Sequence, residues 1–403
     1  MMKRACVVLA TILLFACAKN GPPSPSADGG GLASSSASPA IKKDDLPTTS
    51  FSIAKENLDG LIAEHQRLDR ADAKSRATIV DLLLMRGQFL ARVADYESAE
   101  EVAERAVKGD PTSPVALLAR ARVHATFHRF ALAQKDIDAA EKNDGDPSRI
   151  ASARASVLMA LGHYEEAAAL LPSDPHGPSE LTTAAVLAAR MQNPSVAEEL
   201  FERARSAVRD VSPFPVAWMD FQRASVLESA GDAGRARLYY EEAIDKIPAY
   251  AHAVVHLAAR APAERAISVL MPLLETSDDP DVLAALADAH RRAKHDPESQ
   301  RLRDAARARY DALVEKHPEA YADHAARFHL ANGEPKKALA LAQANARLRP
   351  TEEAIDLWSG AATAAHDEEA MCAAAAALDA LRFVSADRKR LARATLDGCT
   401  PRP

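Results

Sequence analysis

From about residue 51 onward, apolar side chains recur at the three- and four-residue spacing of an amphipathic α-helix. The segment "DYESAEEVAERAVKGDP" is representative, because its Ala and Val residues share one helix face and most of its Glu residues lie on the other. No run alternates apolar and polar positions as a half-buried strand would, and the strong helix formers Ala, Leu, Glu and Arg dominate. The pattern predicts an all-α body.

The helical pattern also repeats at a fixed interval. Two sets of positions are spaced 34 residues apart, namely Tyr96, Phe130 and Tyr164, and Ala99, Ala133 and Ala167. A fixed period of this length is typical of arrays in which one supersecondary unit is stacked many times. Further hairpins with drifting spacing are predicted around Ala197, Ala236, Ala266, Tyr310, Ala338 and Ala370.

These segments resemble tetratricopeptide repeats. Gly87 and Ala121 match the small site of the first helix, Ala99 and Ala133 match that of the second, and Pro111 closes a hairpin, as do Pro248, Pro318 and Pro350. The resemblance implies a right-handed superhelical solenoid of helical hairpins. We expect capping helices over 51–79, the repeat array over 80–378, and a C-terminal capping helix and tail over 379–403.

The first sixteen residues have the composition of a secretory signal peptide. Lys3 and Arg4 precede an apolar run from residue 7 to 15, which is shorter than the roughly 20 apolar residues that a membrane-spanning helix needs. The tetrad Leu14-Phe15-Ala16-Cys17 resembles the lipobox of bacterial lipoproteins, which implies cleavage before Cys17 and acylation of its sulfur. Ordinary signal-peptidase cleavage, or an incidental cysteine, is the alternative.

The predicted anchor also indicates a location. Residue 18 is Ala rather than the Asp associated with inner-membrane retention in enteric bacteria, so we expect an outer-membrane lipoprotein facing the periplasm. The inner membrane and the cell surface are the alternatives. Residues 17–50 are rich in Gly, Pro, Ser and Ala, which predicts a disordered tether with a root-mean-square reach of about 30 Å.

Net charge and cysteine usage narrow the partners and the chemistry. The formal charge of −7 becomes −9 when Lys3 and Arg4 leave with the signal peptide, which argues against a nucleic-acid partner. Of four cysteines, Cys6 leaves with the signal and Cys17 would be acylated, so Cys372 and Cys399 are a candidate disulfide in an oxidising compartment. Two buried free thiols are the alternative.

Two histidine pairs have a spacing that can bind zinc from one helix face. His124 and His128 form one pair, and His252 and His256 form the other, but neither has the glutamate of a zinc peptidase or an evident third ligand. We therefore predict no metal site. No nucleophile motif, glycine-rich phosphate loop or paired-carboxylate signature is found either, so the sequence predicts no cofactor and no catalytic residue.

The resemblance also implies a binding wall, since first helices line the concave surface of such solenoids. The expected wall comprises Leu84, Gln88, Arg92, Leu118, Arg122, Arg149, Met159, Arg190, Trp218, Phe221, His252 and Arg327. Arginine and aromatic side chains would suit a peptide segment with acidic and apolar groups. In the alternative, Trp218 and Phe221 belong to the core and the arginines pair with glutamates. The lysine and asparagine pattern of the chaperone-tail carboxylate clamp is absent.

The sequence therefore predicts a non-catalytic interaction scaffold, tethered by lipid to the bacterial envelope and assisting assembly or positioning of an envelope complex. The expected partners are envelope proteins or peptide segments, with membrane contact through the lipid anchor only. A groove-type binding module for a peptide or small polymeric ligand is the alternative. An enzyme is disfavoured because the tether and repeats occupy nearly the whole chain.

Overall fold

A computed structural model describes residues 46–68 and 72–399. The predicted signal peptide, Cys17 and most of the predicted tether lie outside the described residues. The last five tether residues, 46–50, do not form a free arm. The Thr49 amide donates to the Val211 carbonyl at 2.7 Å, and Lys246 Nζ donates to the Leu46 carbonyl at 2.8 Å. These bonds attach the end of the tether to the folded body, which corrects the expected boundary.

The described residues fold into helices and contain no strand. The α-helices in chain order are α1 Phe51–Leu68, α2 Ala73–Leu90, α3 Val93–Gly109, α4 Pro114–Thr126, α5 Phe130–Lys142, α6 Pro147–Ala160, α7 Tyr164–Leu170, α8 Pro178–Arg190, α9 Pro194–Ser206, α10 Pro213–Ser229, α11 Ala233–Lys246, α12 Ala251–Arg260, α13 Ala263–Leu270, α14 Pro280–Arg292, α15 Asp296–Lys316, α16 Pro318–Ala331, α17 Pro335–Leu348, α18 Glu352–Ala365, α19 Glu368–Ala380 and α20 Ala386–Asp397. A short 3₁₀ helix, Met271–Glu275, follows α13.

Consecutive helices pack as antiparallel hairpins, from α2 with α3 to α18 with α19, and the hairpins stack into a right-handed superhelix. The predicted boundary at residue 80 falls inside α2, which is the first helix of the first hairpin, so only α1 precedes the array. The boundary at 378 similarly falls inside α19, and α20 follows it. Each of the additional hairpins expected from the drifting repeats is present, with its marker residue in the second helix.

Helix starts and turns follow from local chemistry. Ser113 accepts a hydrogen bond from the Ala116 amide in the first turn of α4, and Asp146 accepts one from the Arg149 amide in the first turn of α6. Proline occupies the first position of both helices. Most turns within hairpins contain a residue with left-handed backbone, such as Gly162 in the third hairpin and His128 in the second, and the turn between α12 and α13 does not. A non-glycine residue with this backbone is uncommon.

Small residues allow the paired helices to approach closely. Ala99, Ala133 and Ala167 have no exposed surface. At Gly87 in α2, an added Cβ would lie 2.5 Å from Cε1 of Tyr96 in α3, so the aromatic ring occupies the space that a side chain would need. The 34-residue pattern thus records a packing requirement at each helix crossing.

The superhelix winds far enough for its second turn to contact its first. We call this contact the seam, formed by residues 91–94, 127–129 and 162–165 on one side and 277–278, 316–319, 350–353 and 382–383 on the other. Asp278 accepts from the amides of Val93 at 2.5 Å and Ala94 at 3.2 Å, so a carboxylate from the second turn caps the N-terminus of α3. Ser277 Oγ donates to the Ala91 carbonyl at 2.7 Å.

The C-terminal end is cross-linked. A disulfide joins Cys372 in α19 to Cys399 just beyond α20, with 6.0 Å between the Cα atoms. It links the terminal helix to the last hairpin. Among the residues that the structure covers, no helix is both long and apolar enough to span a bilayer.

Candidate functional site: the inner wall of the superhelix

The two aromatic residues of the expected binding wall lie in the core. Trp218 is 3% exposed and Phe221 is 4% exposed. The Phe221 ring packs 5.1 Å from that of Tyr250 and 5.7 Å from that of Tyr240, measured between centroids. The expected open groove presenting these two residues is therefore corrected: both belong to the core, where α11 and the residue preceding α12 pack against Phe221.

Most of the wall arginines are likewise engaged by carboxylates. Arg122 pairs with Asp81 at 2.5 Å, and Arg149 acts electrostatically on the same Asp81. Arg190 at the end of α8 pairs with Glu353 at the start of α18, which joins the two turns of the superhelix. Arg92, 3.6 Å from Asp95, is the most exposed of the set for which an ion pair is observed. Arg92, Arg122 and Arg190 therefore pair with acidic residues, as in the alternative interpretation of the sequence.

One histidine of each predicted pair is engaged by a carboxylate. His124 Nδ1 lies 3.1 Å from Asp136, and His256 Nδ1 lies 2.8 Å from Glu228. Burial lowers the pKa of His252 to about 4. Within the described ranges, no group of three or more His, Cys, Asp or Glu residues is arranged to hold a metal ion.

A buried ionic network connects α14, α16 and the end of α17, all in the second turn of the superhelix. Arg349 Nη2 donates to Asp323 Oδ2 at 3.1 Å, and its Nε donates to Asn345 Oδ1 at 3.2 Å. His324 Nδ1 lies 2.8 Å from Asp281 Oδ2. Burial opposes ionisation of Asp323, but the cationic groups of His324 and Arg349 prevail and hold its pKa below the usual range. The network therefore contains ionised groups of opposite charge that offset one another, while the buried Asp323 Oδ1 accepts no hydrogen bond.

The pKa of a second carboxylate in this region, that of Asp279, is raised rather than lowered. Asp279 accepts from the Asp281 amide at 2.8 Å at the start of α14. Burial, reinforced by the neighbouring charge of Asp281, raises the pKa of Asp279 to about 7. Burial also opposes ionisation of Asp281, but His324 and Tyr310 donate to it and keep its pKa low.

A small cleft opens beside the network. Its volume is about 60 Å³, enough for a few water molecules, and its lining includes Arg190, Phe221, Asp323, Arg327 and Arg349. The cleft therefore gathers four residues of the expected wall, Met159, Arg190, Phe221 and Arg327, contributed by α6, α8, α10 and α16.

Comparison with known families identifies the repeating unit. The tetratricopeptide repeat model matches residues 80–123, which span the end of α2, all of α3 and most of α4. The chain contains a tetratricopeptide repeat. The matched part includes Gly87, Tyr96 and Ala99, whose packing in the first tetratricopeptide hairpin is described above. No curated protein matches the chain.

Solved structures similar to this tetratricopeptide solenoid are distant in sequence. The human IFIT1 dimer with PPP-AAAA is 14% identical, with 87% of this chain and 86% of that chain covered and a TM-score of 0.43. Pseudomonas aeruginosa pilF is 20% identical, covering 62% of this chain and 99% of that one at a TM-score of 0.32. Yeast Tom70 is 12% identical, with 86% of this chain and 93% of that chain covered and a TM-score of 0.37. Likenesses this distant assign no function to this chain.

The residues that close the tetratricopeptide superhelix carried no signal in the sequence. Asp278 and Val93 are 185 positions apart, and His128 and Glu319 are 191 apart. Neither Asp278 nor His317 stands at one of the small, aromatic or proline positions by which the repeat is recognised. One partial signal existed, since His128 stands in a hairpin turn where Gly162 stands in the next repeat, and a substitution for glycine there suggests a side chain with a role.

Proposed function

We propose that this protein is a non-catalytic scaffold for protein–protein interaction, tethered by lipid to the bacterial envelope, where it assists assembly or positioning of an envelope complex. The observation that carries the proposal is the array of hairpins from α2 to α19, which includes the tetratricopeptide repeat at 80–123. Stacked hairpins present an extended surface to partners, and this surface is the main functional asset of such arrays.

The chemistry of the interior supports a binding role over a catalytic one. Asp323 Oδ2 accepts from Arg349, and Asp281 pairs with His324 and accepts from Tyr310. Groups paired in this way stabilise the superhelix, whereas a general acid or base needs access to a substrate atom. No enzyme family matches the chain in the comparisons reported above.

The proposed location rests on the sequence. Acylation at Cys17 would attach the chain to the outer membrane on its periplasmic side, with membrane contact through the lipid only. The negative charge of the mature chain supports protein rather than nucleic-acid partners.

Crosslinking in intact cells, followed by purification of the full-length protein, tests the scaffold role. We expect one or more envelope proteins to be enriched with the wild type, with crosslinks on the outward-facing helices. A Cys17→Ser variant serves as the control, because it should lose the anchor while keeping the folded body. Absence of any enriched envelope protein with the wild type correctly anchored would contradict the scaffold role.

The anchor is tested separately by detergent phase partition and by intact mass of the mature protein. We expect the wild type in the detergent phase, with a mass that includes acyl chains on residue 17. Cys17→Ser should partition into water. A water-soluble, unacylated wild type would remove the lipid anchor from the proposal while leaving the scaffold role open to the crosslinking experiment.

The groove-type binding module is the second candidate. The cleft favours it, since Arg190, Phe221 and Arg327 line one space and supply cationic and apolar contacts. A shift in melting temperature on adding a short acidic, leucine-containing peptide would support this role. No shift at millimolar peptide would count against it.

A further inference from the structure

Two histidines lie at the seam, and each bonds to the opposite turn of the superhelix. His317, between α15 and α16, is 1% exposed, and its ring stacks on that of Phe127 with centroids 4.1 Å apart. His128, in the turn between α4 and α5, lies 3.1 Å from the Glu319 carbonyl. Each turn thus contributes one buried imidazole to the contact.

The hydrogen-bond partners of His317 determine which of its two ring nitrogens carries the proton. Arg129 Nη2 lies 2.9 Å from Nδ1, and Glu97 Oε1 lies 3.1 Å from Nε2. A guanidinium can only donate and a carboxylate can only accept, so Nδ1 is the unprotonated acceptor and Nε2–H donates. A proton added to Nδ1 would face the N–H of Arg129, which removes that hydrogen bond and places two cations in contact.

The position of the proton on His128 also follows from its hydrogen-bond partner. The Glu319 carbonyl can only accept, so Nδ1 carries the proton and Nε2 is free of it. Protonation of Nε2 would create a buried cation beside another, because Arg349 also acts on this ring. Asp323 offsets that repulsion in part, and His324 adds to it on protonation.

We propose that the seam is an acid-sensitive latch: the superhelix stays closed while His128 and His317 are neutral, and its second turn separates from its first when both become protonated. Opening would break the Asp278 cap on α3 and uncover the inner wall. The proposal concerns the conformation of the body and is independent of the lipid anchor and of the identity of any partner.

The direction of the pH effect follows from the two pKa values. Burial lowers the pKa of His317, where Arg129 also disfavours the charge while Glu97 and Glu100 favour it, and burial lowers that of His128 to about 3. In the open state both return towards the ordinary value of 6.5. The open state therefore binds protons first as pH falls, so closure is fully favoured above 6.5 and is weakened below it.

One carboxylate beside the seam opposes this effect. The pKa of Asp279, which follows the Asp278 cap, is raised by burial and by the charge of Asp281 to about 7, so its protonation favours closure as pH falls and offsets one of the two histidines. Glu97, which contacts His317, does not oppose it. Burial opposes ionisation of Glu97, but Lys316 and His317 prevail and lower its pKa, so it stays ionised between pH 5 and 6.5. While both histidines are neutral in the closed state, each weakens the closing equilibrium about tenfold per pH unit below 6.5.

Glutamine is a suitable replacement at both positions. At residue 317 its carbonyl oxygen can accept from Arg129 and its amide can donate to Glu97, and at residue 128 its amide can donate to Glu319. The backbone at 128 is left-handed, and Gln192 already has this backbone in the corresponding turn of a later hairpin. The double variant H128Q/H317Q therefore imitates two neutral histidines that cannot be protonated.

Hydrogen exchange followed by mass spectrometry, corrected for intrinsic rates, tests the latch on the full-length protein between pH 7.5 and 5.5, with small-angle scattering on the same samples. In the wild type we expect the amides of Val93 and Ala94, which donate to Asp278 in the closed state, to lose protection about tenfold or more at pH 5.5. Over the same range α10 should stay protected and the radius of gyration should increase. H128Q/H317Q should keep its protection at pH 5.5.

The control is His176→Gln, which removes an exposed histidine away from the seam and should behave as the wild type does. Unchanged protection of Val93 and Ala94 in the wild type down to pH 5.5 overturns the proposal without reference to any variant. Loss of protection in α10 at the same pH overturns it too, since that indicates global unfolding. If the double variant opens as much as the wild type at pH 5.5, the two histidines are not the cause of opening.

Discussion

At the scale of single residues, Gly87 shows how the repeat pattern records steric demand. The Tyr96 ring lies where its Cβ would stand, whereas an added Cβ at Gly60 in α1 meets no atom within 4 Å. The two glycines are both helical, so they differ in what surrounds them rather than in backbone preference.

We therefore predict opposite effects for the same substitution. Gly87→Ala should lower the free energy of unfolding by about 1–3 kcal/mol, because Tyr96 must shift in a packed site. Gly60→Ala should raise it by up to about 1 kcal/mol through helix propensity. Urea denaturation followed by circular dichroism measures both. A loss at Gly60 equal to that at Gly87 would show that the ring contact is unimportant.

At the scale of elements, α20 depends on its cross-link. It buries only Ala392, and Leu391 is 62% exposed, so its own apolar packing is slight. Arg388 pairs with Glu352 and Asp356 of α18, which gives α20 a polar attachment as well. The disulfide between Cys372 and Cys399 closes a separation of 27 residues.

Reduction of this disulfide should release α20 before it affects the array. On the chain-entropy model the cross-link contributes about 3.5 kcal/mol. We predict that trypsin cleaves at Arg388, Lys389 and Arg390 much faster in the reduced protein, and that Cys399→Ser behaves like the reduced wild type. Cleavage of α20 at the same rate in the oxidised and reduced proteins would exclude this role for the cross-link.

At the scale of the whole molecule, the buried pair of Arg349 and Asp323 joins the two helices of the α16–α17 hairpin and acts on His128 in the other turn. Removing one member leaves a buried charge without its main partner. Arg349→Met should therefore lower the free energy of unfolding by about 3–5 kcal/mol, and adding Asp323→Leu should restore much of that loss. Urea denaturation at pH 7.5 compares the single and double variants. A double variant no more stable than Arg349→Met would show that the unpaired charge is not the cause.

The limits of sequence reasoning are clearest for the inner wall. The register of the first helices placed Arg190, Phe221 and Arg327 on one surface, and the three do line one cleft. Accessibility could not be deduced, because it depends on where the second turn of the superhelix lies. The helical pattern specifies the inward face of each hairpin and contains no information about what covers that face.

The sequence by itself determined the helical body, the hairpin unit and the small residues at its crossings, because helix periodicity and close packing act over tens of residues. Only the tertiary structure decided that the superhelix closes on itself. The rotation between adjacent hairpins accumulates along the array, so small differences in packing displace loops that are many repeats apart. Contacts such as Asp278 with Val93 depend on that accumulated rotation, and they convert an expected open groove into a closed interior.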